Sequence, residues 1–244
     1  MDGTGNRLLD RLPASEREGL VTVARPASLV QRQVLWEPAE EIGQVYFPLS
    51  GVISLLAVTR DGASVEVATI GTEGMAGLPV FLGQRNRAAG RAMCQIPGRG
   101  LLVEAERFEA IVGDHRGVDG LLRRYTHAFL IHVTQGVVCN RLHSVDRRLA
   151  RWILEMDDRI HPDELPVTHE FLAQMLGVRR ASVTEAVAPL QAAGAIAHER
   201  GRIRVLDHDR LVGLSCECYG VVRDAYEELL NWVGPEGPAP PPSR

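Results

Sequence analysis

Lysine is missing from this chain: every one of its 27 basic side chains is an arginine. A GC-rich genome is sufficient reason for that bias, and no function is read from it. No apolar run approaches the ~18 residues that a membrane span requires. The opening MDGTGNRLLDRLPASE lacks an apolar stretch behind a basic start, so no secretory signal is read there and the cytoplasm is the expected location. Residues 1–114 contain no histidine, which removes the His and carboxylate ligand set of a metal-dependent β-barrel enzyme. The four cysteines (Cys94, Cys139, Cys216 and Cys218) are scattered, and reduced thiols are the expectation. Only Cys94 lies in the N-terminal half, too few for an iron–sulfur centre there. No nucleophile constellation, P-loop or dinucleotide fingerprint is present, so an enzyme is not expected. A net charge of −4 argues against a surface coated all over in nucleic acid, while a local basic site stays open.

What is present falls into blocks. At 244 residues the chain can hold one large or two modest domains. After an amphipathic start (Leu8, Leu9, Leu12), VYFPLSGVISLLAV and ASVEVATIG read as strands joined by TRDG, with Asp61-Gly62 as a type I′ hairpin turn. Closely spaced glycines between 43 and 100 point to a compact antiparallel roll over 1–115. From about 117 the apolar period becomes helical. Val118, Leu122, Tyr125, Phe129, His132, Gly136 and Cys139 are spaced 4, 3, 4, 3, 4 and 3 apart. This a/d pattern suggests a dimerisation helix over 116–142, with those residues as its seam. Ser144 can cap a further helix, and a last one is expected at 216–234. The proline-rich end, 235–244, is expected to be disordered.

The segment THEFLAQMLGVRRASVTEAV, within 143–215, has the pattern of a helix-turn-helix. Leu172, Ala173 and Leu176 supply an inner face, Gly177 suits a left-handed turn, and Val183 and Val187 face inward. Arg179, Arg180, Ser182, Thr184 and Glu185 are then left outside, at the end of the helix that enters a major groove. Thr168 and His169 begin the first helix and join the DNA-facing set. Arginine can hold guanine or phosphate, Ser and Thr hydroxyls reach either, and glutamate can accept from cytosine. RGRIRV reads as a basic hairpin, a wing whose Arg200, Arg202 and Arg204 face phosphates. Pro189 inside the second helix predicts a kink or an early end.

A glycine-punctuated roll, a long helix and a winged helix-turn-helix in this order resemble the Crp/Fnr superfamily of bacterial transcription regulators. VYFPLSGVISLL, EVATIGTEGMAGLP, CNRLHSVDRRLARW, LGVRRASVTEAV and CECY carry the resemblance over about residues 25–230. It implies an α+β fold: an N-terminal roll like a cyclic-nucleotide-binding jelly roll, a dimerisation helix, and a C-terminal DNA-binding domain. It also implies a homodimer on double-stranded DNA with an inverted-repeat operator, with RNA polymerase as a further partner. The family's cyclic-nucleotide pocket pairs Gly-Glu with Arg-Ser or Arg-Thr. Here Leu78 follows Gly77, and Ala88 follows Arg87. Gly77, Leu78, Arg85 and Arg87 mark the effector site, but cyclic AMP is not the expected effector, and no cofactor is expected. Ala181 stands where many members carry a glutamate, so the family's base preference does not carry over. Cys216-Glu217-Cys218, with Cys139 and His143, invites a metal site. A C-x-C on a helix points its thiols apart, however, so no metal is expected. The competing reading is a ligand sensor whose C-terminal domain makes protein contacts instead.

Overall fold

The computed structural model describes residues 3–83, 86–160 and 164–232. The N-terminal half is a roll of short strands: β1 (Arg25–Leu29), β2 (Val34–Trp36), β3 (Gln44–Pro48), β4 (Val52–Val58), β5 (Ser64–Ile70), β6 (Arg91–Ile96) and β7 (Gly98–Glu104). They pair antiparallel in two sheets, ordered β1-β7-β3 and β2-β6-β4-β5. Two connections cross where Gly51 and Gly98 sit, and a Cβ on Gly98 would run into the Ser50 carbonyl. The β4–β5 hairpin forms at TRDG, but with a different turn. Only Gly62 has positive φ (88°), and Thr59 N–H donates to the Ala63 carbonyl at 2.8 Å. The result is a three-residue loop closed by a left-handed glycine. Asp61 instead accepts from the Thr59 hydroxyl, which holds the loop without a second positive φ.

Helices α1 (Ala14–Val23), α2 (Leu78–Leu82) and α3 (Ala105–Asp114) flank the roll, and α4 (Arg116–Leu142) runs for 27 residues. The C-terminal half holds α5 (Val145–Ile160), α6 (His169–Leu176), α7 (Arg180–Ala192), β8 (Ile196–Glu199), β9 (Arg202–Val205), α8 (His208–Leu214) and α9 (Cys218–Leu230). The proline-rich 235–244 lies outside the described residues. Among the described residues no helix is long and apolar enough to cross a membrane.

The periodic row on α4 is not an open seam. Val118, Leu122, Tyr125, His132, Gly136 and Cys139 are buried by this chain itself, and Phe129 is half-buried. The Tyr125 hydroxyl donates to the Met75 carbonyl at 2.8 Å, and His132 Nδ1 lies 3.4 Å from the Tyr226 hydroxyl of α9. A heptad period defines a helix face, yet it says nothing of whether the covering surface comes from the same chain. The outward face of α4 carries Arg123, His127, Leu130, Thr134, Val137 and Arg141, all exposed. Their spacing is also 4, 3, 4, 3, 4.

Nor does Pro189 end α7. The helix continues to Ala192, and Gly194 (φ 70°) follows its last turn. Pro189 and Glu185 are both exposed, so water can take the Glu185 carbonyl that proline leaves without a donor.

The two halves meet in two hydrophobic cores, one of which packs Val222, Tyr226 and Leu229 of α9 against the roll and α4. In the other, Leu149, Trp152, Ile153, Leu172, Val183 and Ile203 cluster with Val52 and Leu56 of β4 and Met93 and Ile96 of β6. Three polar contacts reinforce the joint. Trp152 Nε1 donates to Glu66 at 2.9 Å, Arg159 Nε to Glu73 at 2.8 Å, and Gln174 Nε2 to the Ser64 hydroxyl at 3.1 Å. Glu66 also accepts from Ser54 at 2.6 Å. Burial outweighs those bonds and pushes its carboxyl up to about 7.

Candidate nucleic-acid interface

α6 starts at Thr168, whose hydroxyl oxygen accepts from Phe171 N–H at 3.2 Å as an N-cap. It ends at Gly177, left-handed at φ 63°, ψ 39°. Val178 N–H reaches back to the Ala173 carbonyl at 2.9 Å and Gly177 N–H to that of Gln174 at 3.2 Å. This is a Schellman ending, and its Cβ-free turn points the chain into α7. Leu172, Ala173 and Leu176 of α6 and Val183, Ala186 and Val187 of α7 are buried, which fixes how the two helices cross. Arg179 is the extended N-cap of α7 and Arg180 its first residue. Both are exposed, as are Thr184 and Glu185, while Ser182 is half-buried. Among the described residues, neither Arg179 nor Arg180 forms an ion pair.

The wing is β8 and β9, registered so that Glu199 opposes Arg202. Arg200 (φ 48°) and Gly201 (φ 76°) make its two-residue turn, the backbone of a type I′ hairpin. The turn lies against the start of α6: a Cβ on Gly201 would sit 3.4 Å from the Thr168 methyl. His169 then joins three elements. Its Nδ1 is 3.0 Å from the Thr184 hydroxyl of α7, and its ring stacks on His198 of β8 with centroids 4.5 Å apart. Partial burial, then the neighbouring His198 and Arg180, hold its pKa below the usual imidazole value, so it stays neutral near pH 7.

The sequence-read residues therefore divide. Thr168 is committed to its own helix, and Thr184 also donates to the Arg180 carbonyl at 3.3 Å. Arg202 pairs with Glu164 at 2.9 Å. Arg179, Arg180, Arg200 and Arg204 are exposed cations with no ion pair among the described residues. His198 was missed. The signal available was its alternation with Ala197 in a strand that had to pack against α6.

Of the effector residues, Gly77 (φ 108°) and Leu78 line a cavity of about 430 Å³ between the roll and α4, walled by Trp36, Met75 and Phe129. Its lining is overwhelmingly apolar. Arg87 stands outside it, exposed, donating to the Ala39 carbonyl at 3.1 Å. Arg85 lies outside the described residues. Among the described residues, nothing in this lining offers the charge-assisted partner that a buried phosphate demands.

The C-x-C segment also departs from its reading. Cys216 precedes α9 and Cys218 is its first residue, so no helical repeat separates the two thiols. Both face Cys139 and His143. Cys139 and His143 stand four apart at the end of α4, a spacing that places both on one helix side, towards the two thiols.

Residues 147–214 match the Crp-like helix-turn-helix domain family. Among curated proteins no sequence matches the chain significantly. Among solved structures, FixK2 from Bradyrhizobium japonicum is similar at TM-score 0.68 and 20% identity, over 80% of this chain and 98% of that one. The c-di-GMP-responsive global regulator CLP of Xanthomonas campestris follows at TM-score 0.60 and 16% identity, over 79% and 99%. A CRP/FNR-family transcriptional regulator from Thermus thermophilus gives 0.53 and 20%, over 78% and 98%. At these identities the likeness is one of fold.

Proposed function

We propose, with a Crp-like helix-turn-helix domain at 147–214 as the premise, that the chain is a sequence-specific DNA-binding transcription regulator that works as a homodimer. The observation that carries this is the exposed pair Arg179–Arg180 at the start of α7, without an ion pair among the described residues and held beside a wing by His169. In this reading the N-terminal turn of α7 enters the major groove. Arg180 reads a base edge and Glu185 accepts from an adjacent base. Arg179, Arg200 and Arg204 hold phosphates, and Arg202 joins them once DNA displaces the exposed Glu164. Two copies meet along the outward stripe of α4, where Leu130 and Val137 are 58% and 67% exposed, one heptad apart. Half-sites about 34 Å apart on an inverted repeat follow from that two-fold. The effector is a neutral, largely apolar small molecule in the cavity beside Gly77 and Leu78, which biases the distance between DNA-reading helices through α4. RNA polymerase is the further partner.

DNA affinity measured against salt tests this reading. Four phosphate contacts per chain give a log–log slope of about −7 for the dimer. A salt-independent interaction would instead favour protein contacts by the C-terminal domain.

A further inference from the structure

Three thiols and an imidazole converge where the end of α4 meets the corner between α8 and α9. Cys139 lies on the last turn of α4, and His143 is that helix's C-cap. Cys216 and Cys218 flank Glu217 at the corner between α8 and α9. The cysteines are 0%, 3% and 0% exposed and form a cluster of their own, apart from both hydrophobic cores. Cys139 Sγ lies 3.5 Å from Cys216 Sγ, and Cys218 Sγ lies 3.6 Å from His143 Nδ1. All four potential ligand atoms lie within 4.8 Å of one another.

A tetrahedral zinc ion with Zn–S of about 2.3 Å and Zn–N of about 2.0 Å sets its ligand atoms about 3.5–3.8 Å apart. The two close contacts already have that edge length, and the others need shifts of about 1 Å or less to reach it. A polynuclear iron–sulfur cluster spreads its thiolates wider, so the geometry favours a single ion. Two features outside the ligands point the same way. The far nitrogen of His143, Nε2, lies 3.3 Å from a Glu217 carboxylate oxygen, the outer partner that metal-bound histidines commonly have. Three thiolates on a divalent ion leave one net negative charge. Arg148 of α5, buried and with no carboxylate partner among the described residues, can balance it, while the neighbouring buried Arg151 is already paired with Glu155. The Nε atom of each has no hydrogen-bond partner among the described residues.

We propose that Cys139, His143, Cys216 and Cys218 bind one zinc ion in a Cys3His site that ties the end of α4 to the α8–α9 corner. Binding releases the thiol protons to solvent and leaves three thiolates on the metal. With no open coordination position, the ion is structural. It clamps the point where the long helix passes into the DNA-binding half.

The test uses the full chain, stripped with chelator under reducing conditions, with Co(II) as the probe. One Co(II) per chain is expected, with thiolate-to-cobalt charge transfer and the intense visible bands of tetrahedral coordination, and one equivalent of Zn(II) should bleach them. Cys216→Ser and Cys218→Ser should each weaken Co(II) binding at least tenfold. Glu217→Ala should weaken it about 10-fold by releasing His143, and Cys94→Ser, remote from the cluster, should leave it unchanged. A folded, fully reduced wild-type chain that gives no tetrahedral cobalt spectrum overturns the proposal without recourse to any variant. So does wild-type affinity in Cys216→Ser and Cys218→Ser alike.

Discussion

Replacing Glu66 with glutamine should change the pH dependence of stability more than stability itself. The side chain sits on β5 at the joint between roll and DNA-binding half, accepting from Ser54 at 2.6 Å and Trp152 at 2.9 Å. Its pKa is raised from 4.5 to about 7, chiefly by burial. The folded chain therefore binds a proton that the unfolded chain has released, so Glu66 adds stability at low pH that is lost as pH climbs through about 7. Integrated from pH 5 to pH 8, that shift amounts to about 2.5 kcal/mol. The side chain keeps some solvent access, which lowers the expected loss to about 2 kcal/mol. An amide at this position cannot titrate. Urea unfolding of wild type and Glu66→Gln at pH 5, 6, 7 and 8, at one protein concentration, should show the variant gaining about 2 kcal/mol on the wild type across that range. Parallel pH profiles would refute a buried, docked carboxyl at this joint.

Other expectations follow from single sites. Arg180→Ala should cost about 1–3 kcal/mol of binding to the preferred operator and relax discrimination at one base pair, read by competition with single-base operator variants. Arg204→Ala should weaken all sequences about equally and reduce the salt slope by about 1 per chain. Val137→Glu, on the outward stripe of α4, should turn a dimer into a folded monomer in sedimentation, whereas dimers unaffected by it would move the interface elsewhere. Burial holds His132 down at about 4. The unfolded chain thus takes up a proton as pH falls below about 6.5 that the folded chain refuses, and stability declines towards pH 4. His132→Gln should make that acid limb shallower by up to about 3 kcal/mol in the same unfolding assay.

Local chemistry was legible where one residue type decides the backbone. Gly177 in a left-handed turn, Thr168 before a helix and Val183 with Val187 inside all follow from propensity and period. Readings that depended on what lies opposite a surface failed. The α4 row at 118–139 is apolar because the roll and α9 cover it, and nothing in a heptad distinguishes that cover from a second copy. Cys139, His143, Cys216 and Cys218 could be named together from the sequence, but with His143 and Cys216 lying 73 positions apart their closeness could not, and a helical C-x-C argued against it; Cys216 in fact precedes the helix. Helix α8 was a missed local signal, since Asp207 caps it by accepting from Arg210 N–H at 2.9 Å. Glu66 could not be singled out at all. It reads as the polar face of a strand, and only the docking of Trp152 buries it.

The most direct test of the central claim is selection of bound sequences from a random duplex pool by the purified chain at moderate salt, followed by the salt dependence of the selected site. An enriched inverted repeat with half-sites about one helical turn apart, bound with a steep salt slope, is the expected result. A folded chain that enriches no sequence, and whose retention of duplex ignores salt, would contradict it.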